Sequence, residues 1–337
     1  MAAERTRREF LGDLGKTAAA VAVGATVACE AQQPQPVTSR PAKQPPRVVI
    51  ARDEALLRGR GEEHADLLKR MVDAAVQKAT GAADAGAAWR SMFSPKDRVG
   101  IKVNALGLAT QPAVVDAIVQ GLIAAGLTAG NIIIWDRFDS ELVAAGFKLN
   151  KGGSGVRCRG TDADRIGGGY QKDIETSGRI GSCFSRIVAE EVDALICVPV
   201  LKDHNLAGAS LGMKNFFGAI HNPNKYHTNN CDPFVADVAA HRFIGPKWRL
   251  TVCDGTRAQY NAGPAHHPGF VWPFGGLIVG CDFVAVDAVA ADLLDSQRRA
   301  KGLKSLADEG RPAKHITTAA SKGLGVADLT KIERVEI

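Results

Sequence analysis

The 337-residue chain has no CxxC pair, no run of Lys or Arg, and few aromatics, 6% of its residues. Each shortage excludes something. Without paired cysteines there is no ligand set for a ferredoxin-type iron–sulfur cluster and no thioredoxin-like redox motif, so no iron–sulfur cluster is expected despite seven cysteines. Without basic runs interleaved with aromatics, a formal net charge of +6 does not indicate nucleic acid. A GxxxxGK[ST] nucleotide loop and an internal repeat of fixed period are also missing. An apolar fraction of 45% and a charged fraction of 23% are those of an ordinary globular protein.

The N-terminus reads as a targeting segment. Thr6-Arg7-Arg8-Glu9-Phe10-Leu11 is the twin-arginine pattern, followed by an apolar stretch from Thr17 to Ala28 made mostly of Ala, Val and Gly. That stretch is well short of the roughly 20 residues a bilayer helix needs. Residues 1–29 are therefore expected to be an export signal, with the twin-arginine machinery as partner and the periplasm as destination. Thr26-Val27-Ala28-Cys29 resembles a lipoprotein cleavage box, so Cys29 is either a diacylglycerol anchor, the one expected tie to a membrane, or part of an ordinary signal-peptidase site. Residues 30–46, rich in Pro and Gln, have little to bury and read as an extended tether. A chain exported after folding acquires its structure in a reducing compartment, so no disulfide framework is expected. Cys197, Cys253 and Cys281 lie in or beside apolar runs and are expected to be buried thiols.

Residues 47–337 alternate strand and helix patterns. Strands are expected at 47–51, 98–104, 131–135, 194–200, 249–253 and 277–280, and helices at 64–80, 112–125, 283–294 and 312–320. A Gly-rich irregular insertion spans about 150–182, a candidate lid. The pattern predicts a single α/β domain built on a mainly parallel sheet with helices on both faces. Ligands of such sheets bind outside the carboxyl ends of the strands. Asn104, Asp136-Arg137, Lys202-Asp203-His204 and Asp254 each follow an apolar run directly.

The densest segment is VPVLKDHNLAGASLGMKNFFGAIHNPNKYHTNNCD, residues 198–232. It gathers His204, His221 and His227, with Gly208 and Gly212 leading to Lys214-Asn215. Glycines let a backbone approach a ligand, and a Lys after them can meet an anion or form a covalent bond. Imidazoles suit both proton transfer near neutral pH and divalent metals. These residues predict His204 as general acid/base with Asp203 orienting it, and Lys214 as the reactive amine. Gly208, Gly212, Asn215 and Arg137 are expected to bind a cofactor or a substrate anion. His227, His221 and Cys231 are the candidate metal ligands.

IKVN (101–104), residues 112–137, VPVLKDHNLAGASLGMKNFFGAI (198–220), CDP (231–233), CDGTRAQYNAGP (253–264) and DFVAVDAVA (282–290) resemble the domain-of-unknown-function family DUF362, which carries no settled activity. A more distant resemblance is to lactate racemase and its relatives, which use a nickel-pincer nucleotide. It implies Lys214 as the covalent attachment point, His227 as the nickel ligand and His204 as the proton-transfer group. The His that family carries after its third strand is replaced here by Asp136-Arg137. Two readings follow: a cofactor- or metal-dependent enzyme, an oxidoreductase or isomerase acting on a small anionic or hydroxylated substrate, or a non-catalytic ligand-binding or scaffold (lipo)protein.

Overall fold

A computed structural model describes residues 44–58, 61–163 and 168–337. The expected export signal and the tether lie outside these residues, apart from 44–46, and 164–167 of the Gly-rich insertion lie outside them too.

The strands are β1 (Arg47–Arg52), β2 (Val99–Val103), β3 (Ile132–Asp136), β4 (Arg157–Gly160), β5 (Glu175–Ser177), β6 (Ile180–Ser182), β7 (Ala194–Val198), β8 (Val200–His204), β9 (Gly208–Ala209), β10 (Trp248–Gln259), β11 (Val271–Trp272), β12 (Gly276–Gly280) and β13 (Glu333–Glu336). The α-helices are α1 (Gly61–Thr80), α2 (Ala85–Met92), α3 (Pro112–Ala124), α4 (Asp139–Ala144), α5 (Gly212–Asn215), α6 (Phe234–Ala240), α7 (Phe283–Ala300) and α8 (Lys314–Ser321).

The main sheet runs β13-β1-β12-β10-β7-β2-β3-β4. From β10 to β4 every neighbouring pair is parallel, and β12 lies antiparallel between β1 and β10. The sheet is thus mixed but mostly parallel, with helices on both faces. Period-2 alternation feeds two cores. Ile101, Ile134, Ile196 and Val252 pack toward α1, α2 and α3, while Ile133, Trp135, Leu195 and Cys197 pack toward α5, α6, α7 and α8. Strands buried on both faces must be apolar throughout, which is why the runs at 132–135 and 194–198 stand out in the sequence.

The chain leaves β2 to form β3 and β4 on one side, then returns to place β7 on the other side of β2. That reversal opens a crevice at the carboxyl ends of β2 and β7.

Several elements differ from expectation. The strand expected at 194–200 is two: Pro199 has no N–H to continue the ladder, and its carbonyl accepts from Asp254 N at 2.7 Å before β8 begins. Helix α7 continues to Ala300, well past the expected end, and is capped by the Asp282 carboxylate, which accepts from Val284 N and Ala285 N. The insertion carries β4, an edge strand of alternating polar residues, and the β5–β6 hairpin. Cys197 and Cys253 are buried, but Cys281 is exposed, because it follows the last residue of β12 where the chain turns into α7.

Asp287, inside the apolar face of α7, needs a partner in the core. It finds two, accepting from Gly212 N at 2.8 Å and Met213 N at 2.9 Å, and so fixes the start of α5. Burial raises its carboxyl to about 7, and the two N–H donors oppose that rise. Asp287→Ala would leave both donors unpaired in the core, at about 1–3 kcal/mol each. We expect urea denaturation to show a loss of about 2–4 kcal/mol for Asp287→Ala and a smaller loss for Asp287→Asn, which keeps one acceptor.

Candidate functional site

The crevice closes into a cavity of about 360 Å³ lined by residues between Lys102 and Pro264. Its base is an ion pair. Lys102, on the α5–α8 face of β2, is 1% exposed and donates to Asp136 Oδ1 at 2.6 Å, Val103 O at 2.6 Å and Asn215 Oδ1 at 3.0 Å, which uses all three of its protons. Asp136, at the end of β3, also accepts from Arg137 N and Ala105 N at 2.7 Å. The pair therefore joins β2, β3, the loop after β2, and α5.

A second buried lysine, Lys202 of β8, lies within 2.5–3.4 Å of Asn104 Oδ1, Leu106 O, Leu108 O and Pro264 O. It stitches the 104–108 loop to the loop after β10. Its neighbour Asp203 is also fully occupied, accepting from Gly263 N at 2.8 Å and pairing with Arg311 at 2.8 Å. Arg311 reaches the His204 carbonyl as well, at 3.2 Å, so Asp203 acts on His204 through the backbone. Across the same loop, Arg298 of α7 donates to Tyr260 O and Asn261 Oδ1, each at 3.0 Å.

His204, Lys214 and His227 come together in the cavity wall. The rings of His204 and His227 stack with centroids 5.8 Å apart. His204 Nδ1 accepts from Leu206 N at 3.1 Å and Ala207 N at 3.2 Å, so its single proton sits on Nε2. Burial, reinforced by the Lys214 charge, lowers its pKa to about 2 and keeps the ring neutral. His227 has the opposite arrangement. Its Nδ1 lies 3.1 Å from the Pro223 carbonyl, which can only accept, leaving Nε2 as a lone pair 3.3 Å from Lys214 Nζ. Burial and the same Lys214 charge lower the His227 pKa too.

Lys214, on α5, has its Nζ 4.2 Å from the Phe217 ring centroid and has no carboxylate partner among the described residues. Burial lowers its pKa to about 8, with the Lys102 charge pushing the same way. Of the three buried lysines, only Lys214 holds its amine toward open space.

Arg137 lines the cavity beside Phe138, whose ring its guanidinium covers at 4.6 Å. Tyr170 hydrogen-bonds the guanidinium, and Arg137 Nε is buried with no partner among the described residues. Asn104, Asn205, Asn224, Glu141 and Ser210 complete the polar lining.

The other expected site residues fall elsewhere. His221 is exposed and stacks edge-on against Tyr170, outside the cavity lining. Cys231 is buried, and it is within electrostatic reach of Lys214. Among the described residues no group of three His, Cys, Asp or Glu is placed to hold a metal ion. A Cβ on Gly208 would meet Arg311 O at 2.4 Å, and one on Gly212 would meet Asp287 Oδ1 at 3.0 Å. Both glycines thus pack against protein and leave no cradle for a phosphate. Asn215 has its side chain on Lys102 and Cys197. Lys214 can carry a covalent group and His227 Nε2 can supply a single metal ligand, but the donors present do not fit a nucleotide-sized cofactor. Asp254 sits within β10, where it receives Gln111 N and Thr256, and it does not line the cavity.

Three participants are not evident from residue type and order alone. Lys102 could be suspected as a Lys inside an otherwise apolar strand. Tyr170 gives no sequence signal. His315 of α8 is fully buried, with neither ring nitrogen hydrogen-bonded, and lies within electrostatic reach of Lys214 and His204.

The family model described as Domain of unknown function (DUF362) matches residues 99–292, more than half of the chain. No curated protein matches it.

Removing one partner of a buried ion pair strands the other charge, at about 3–5 kcal/mol, whereas replacing both with apolar residues is often near neutral. Lys102→Met alone should therefore lower stability by that amount, and Lys102→Met with Asp136→Asn, which removes the stranded charge but keeps an acceptor for the Ala105 and Arg137 N–H groups, should recover part of it in chemical denaturation. The buried histidines set the acid limit. His204, His241 and His315 are held neutral, the last with its pKa lowered to about 3, while the unfolded chain binds their protons below about 6.5. Stability should fall as pH drops below 6.5, by about 1.4 kcal/mol per pH unit for each histidine. His315→Leu should flatten that slope in a thermal melt series from pH 7 to 4.5.

Proposed function

The chain belongs to the DUF362 family, whose matched region holds every residue lining the cavity, and from that premise we propose an enzyme acting on a small anionic or hydroxylated molecule bound there. Lys214 is the observation that carries this reading. A lysine that merely fills space reaches water or pairs with a carboxylate. Lys214 has no carboxylate partner among the described residues and turns its amine into the cavity instead of to the outer surface, and with a pKa of about 8 a useful fraction of it is a neutral amine near neutral pH. Such an amine is a nucleophile or a proton carrier.

The neighbours divide the remaining work. His227 Nε2 is the acceptor for a Lys214 proton. His204 offers a fixed Nε2–H donor to a ligand oxygen, and Arg137, on the cavity wall with no carboxylate partner among the described residues, offers its guanidinium to an anionic group. The racemase-like resemblance would use the same amine as a cofactor anchor. The proposal includes export of the folded domain by the twin-arginine route, supported by Arg7-Arg8 and the short apolar stretch after them, with Cys29 as a lipid anchor if it is acylated.

A non-catalytic binding protein is the second reading. It is favoured by how fully Lys102, Lys202, Asp203 and Asn215 are bonded within the protein, which makes the walls a rigid receptor.

Thermal shift with small carboxylates, hydroxy acids and inorganic phosphate tests the site. A ligand at about 100 times its Kd stabilises by about 2.7 kcal/mol. Wild type should gain that much, Arg137→Ala less, and Lys214→Met little or nothing. Equal gains in all three proteins would put the ligand elsewhere and reject the assignment. Turnover of the bound compound by wild type, lost in Lys214→Met, separates the enzyme from the receptor.

A further inference from the structure

We propose that the ligand of this cavity is a small oxo acid, captured as an imine on Lys214 with its carboxylate on Arg137. The inference rests on the reading of the cavity as an anion site, and it names the chemical class.

Two functions are needed to capture an oxo acid, and the cavity has one group free for each. The carbonyl carbon needs an amine that is neutral often enough to attack. Lys102 has all its protons engaged, and Lys202, although burial lowers its pKa to about 7, is enclosed by four oxygens and does not line the cavity, so neither presents a free amine to a ligand there. Lys214 is desolvated, has a second ammonium nearby, and faces an imidazole lone pair at 3.3 Å. Desolvation and a cationic neighbour are the two conditions that turn a lysine into a carbonyl nucleophile. The carboxylate needs a donor not already used. Arg137 lines the cavity with no carboxylate partner among the described residues, and the stacking of its guanidinium on Phe138 holds it there.

The step balances without an oxidant or reductant. His227 Nε2 takes a proton from the Lys214 ammonium, and the amine lone pair forms the N–C bond while the carbonyl π pair moves onto oxygen. His204 Nε2–H donates a hydrogen bond to that oxygen as charge develops. A proton then passes from the new nitrogen cation to that oxygen, giving a hydroxyl; its protonation by the His227 imidazolium releases water as the nitrogen lone pair forms the C=N bond, leaving the protonated imine. Its positive charge sits beside Phe217, whose ring face already lies 4.2 Å from Nζ.

Reductive trapping tests this on the full chain. The protein is incubated at pH 7.5 with glyoxylate or pyruvate and sodium cyanoborohydride, and adducts are mapped by peptide mass. An amine with a pKa of about 8 is neutral on the order of a hundredfold more often at this pH than a surface lysine. The expected result is one adduct, on Lys214, absent in Lys214→Met. Arg137→Ala should lower trapping of glyoxylate while leaving trapping of neutral acetaldehyde unchanged. Adducts spread over surface lysines, or a single adduct that persists in Lys214→Met, would overturn the inference. If Lys214→Met does not fold, protection of wild-type Lys214 from trapping by propionate takes its place, and no protection counts against the inference. Stabilisation by propionate without any trapping would leave the anion site standing and remove the imine. Neither stabilisation nor trapping would remove both.

Discussion

The Lys102–Asp136 pair is the interaction on which the crevice depends. Two charges at the carboxyl ends of adjacent parallel strands sit where the chain reverses direction across the sheet. Such a pair survives burial only if its remaining hydrogen-bonding capacity is met. Meeting it draws in Ala105 N, Arg137 N, the Val103 carbonyl and the Asn215 side chain. The loop after β2, the turn after β3 and helix α5 are thereby placed around one point, and the cavity is the space that remains between them.

Three lysines lie buried around that space, and their different surroundings give them different chemistry. Lys102 is neutralised by a carboxylate, and Lys202 is surrounded by oxygens that act like the coordination shell of a cation. Lys214 has an imidazole and an aromatic ring instead. The two imidazoles are set in opposite tautomers by backbone contacts, one donating and one accepting, so the site contains both polarities of hydrogen bond within one pair of stacked rings.

The fold class was legible because doubly buried strands must be apolar and their helices periodic, and 132–135, 194–198 and 112–124 obey both rules. The β4 strand was not, because a short edge strand with Arg157 and Arg159 on it needs only one paired side. In the site, the cluster of His204, Lys214 and His227 was legible from density of residue type after the most apolar strand. What spacing could not reveal was the state of each group: that Gly208 and Gly212 pack against Arg311 and Asp287, that His221 faces outward, and that Asp203 is taken up by Arg311. Those depend on residues roughly 50 to over 100 positions away along the chain, which local patterns do not contain.

Helix α7 has a mechanical consequence. Near one end Asp287 grips the start of α5, which carries Lys214, and near the other Arg298 grips Tyr260 and Asn261, in the loop that brings Pro264 to the cavity rim. The two attachment points are about 16 Å apart along one helix at 1.5 Å per residue. A continuous helix is stiff over that length, so it behaves as a girder spanning the floor and one wall. Those two surfaces move together or not at all. Any breathing that admits a ligand is then left to the opposite side, where Arg137, Phe138 and α4 follow β3 beside the β4 edge of the sheet.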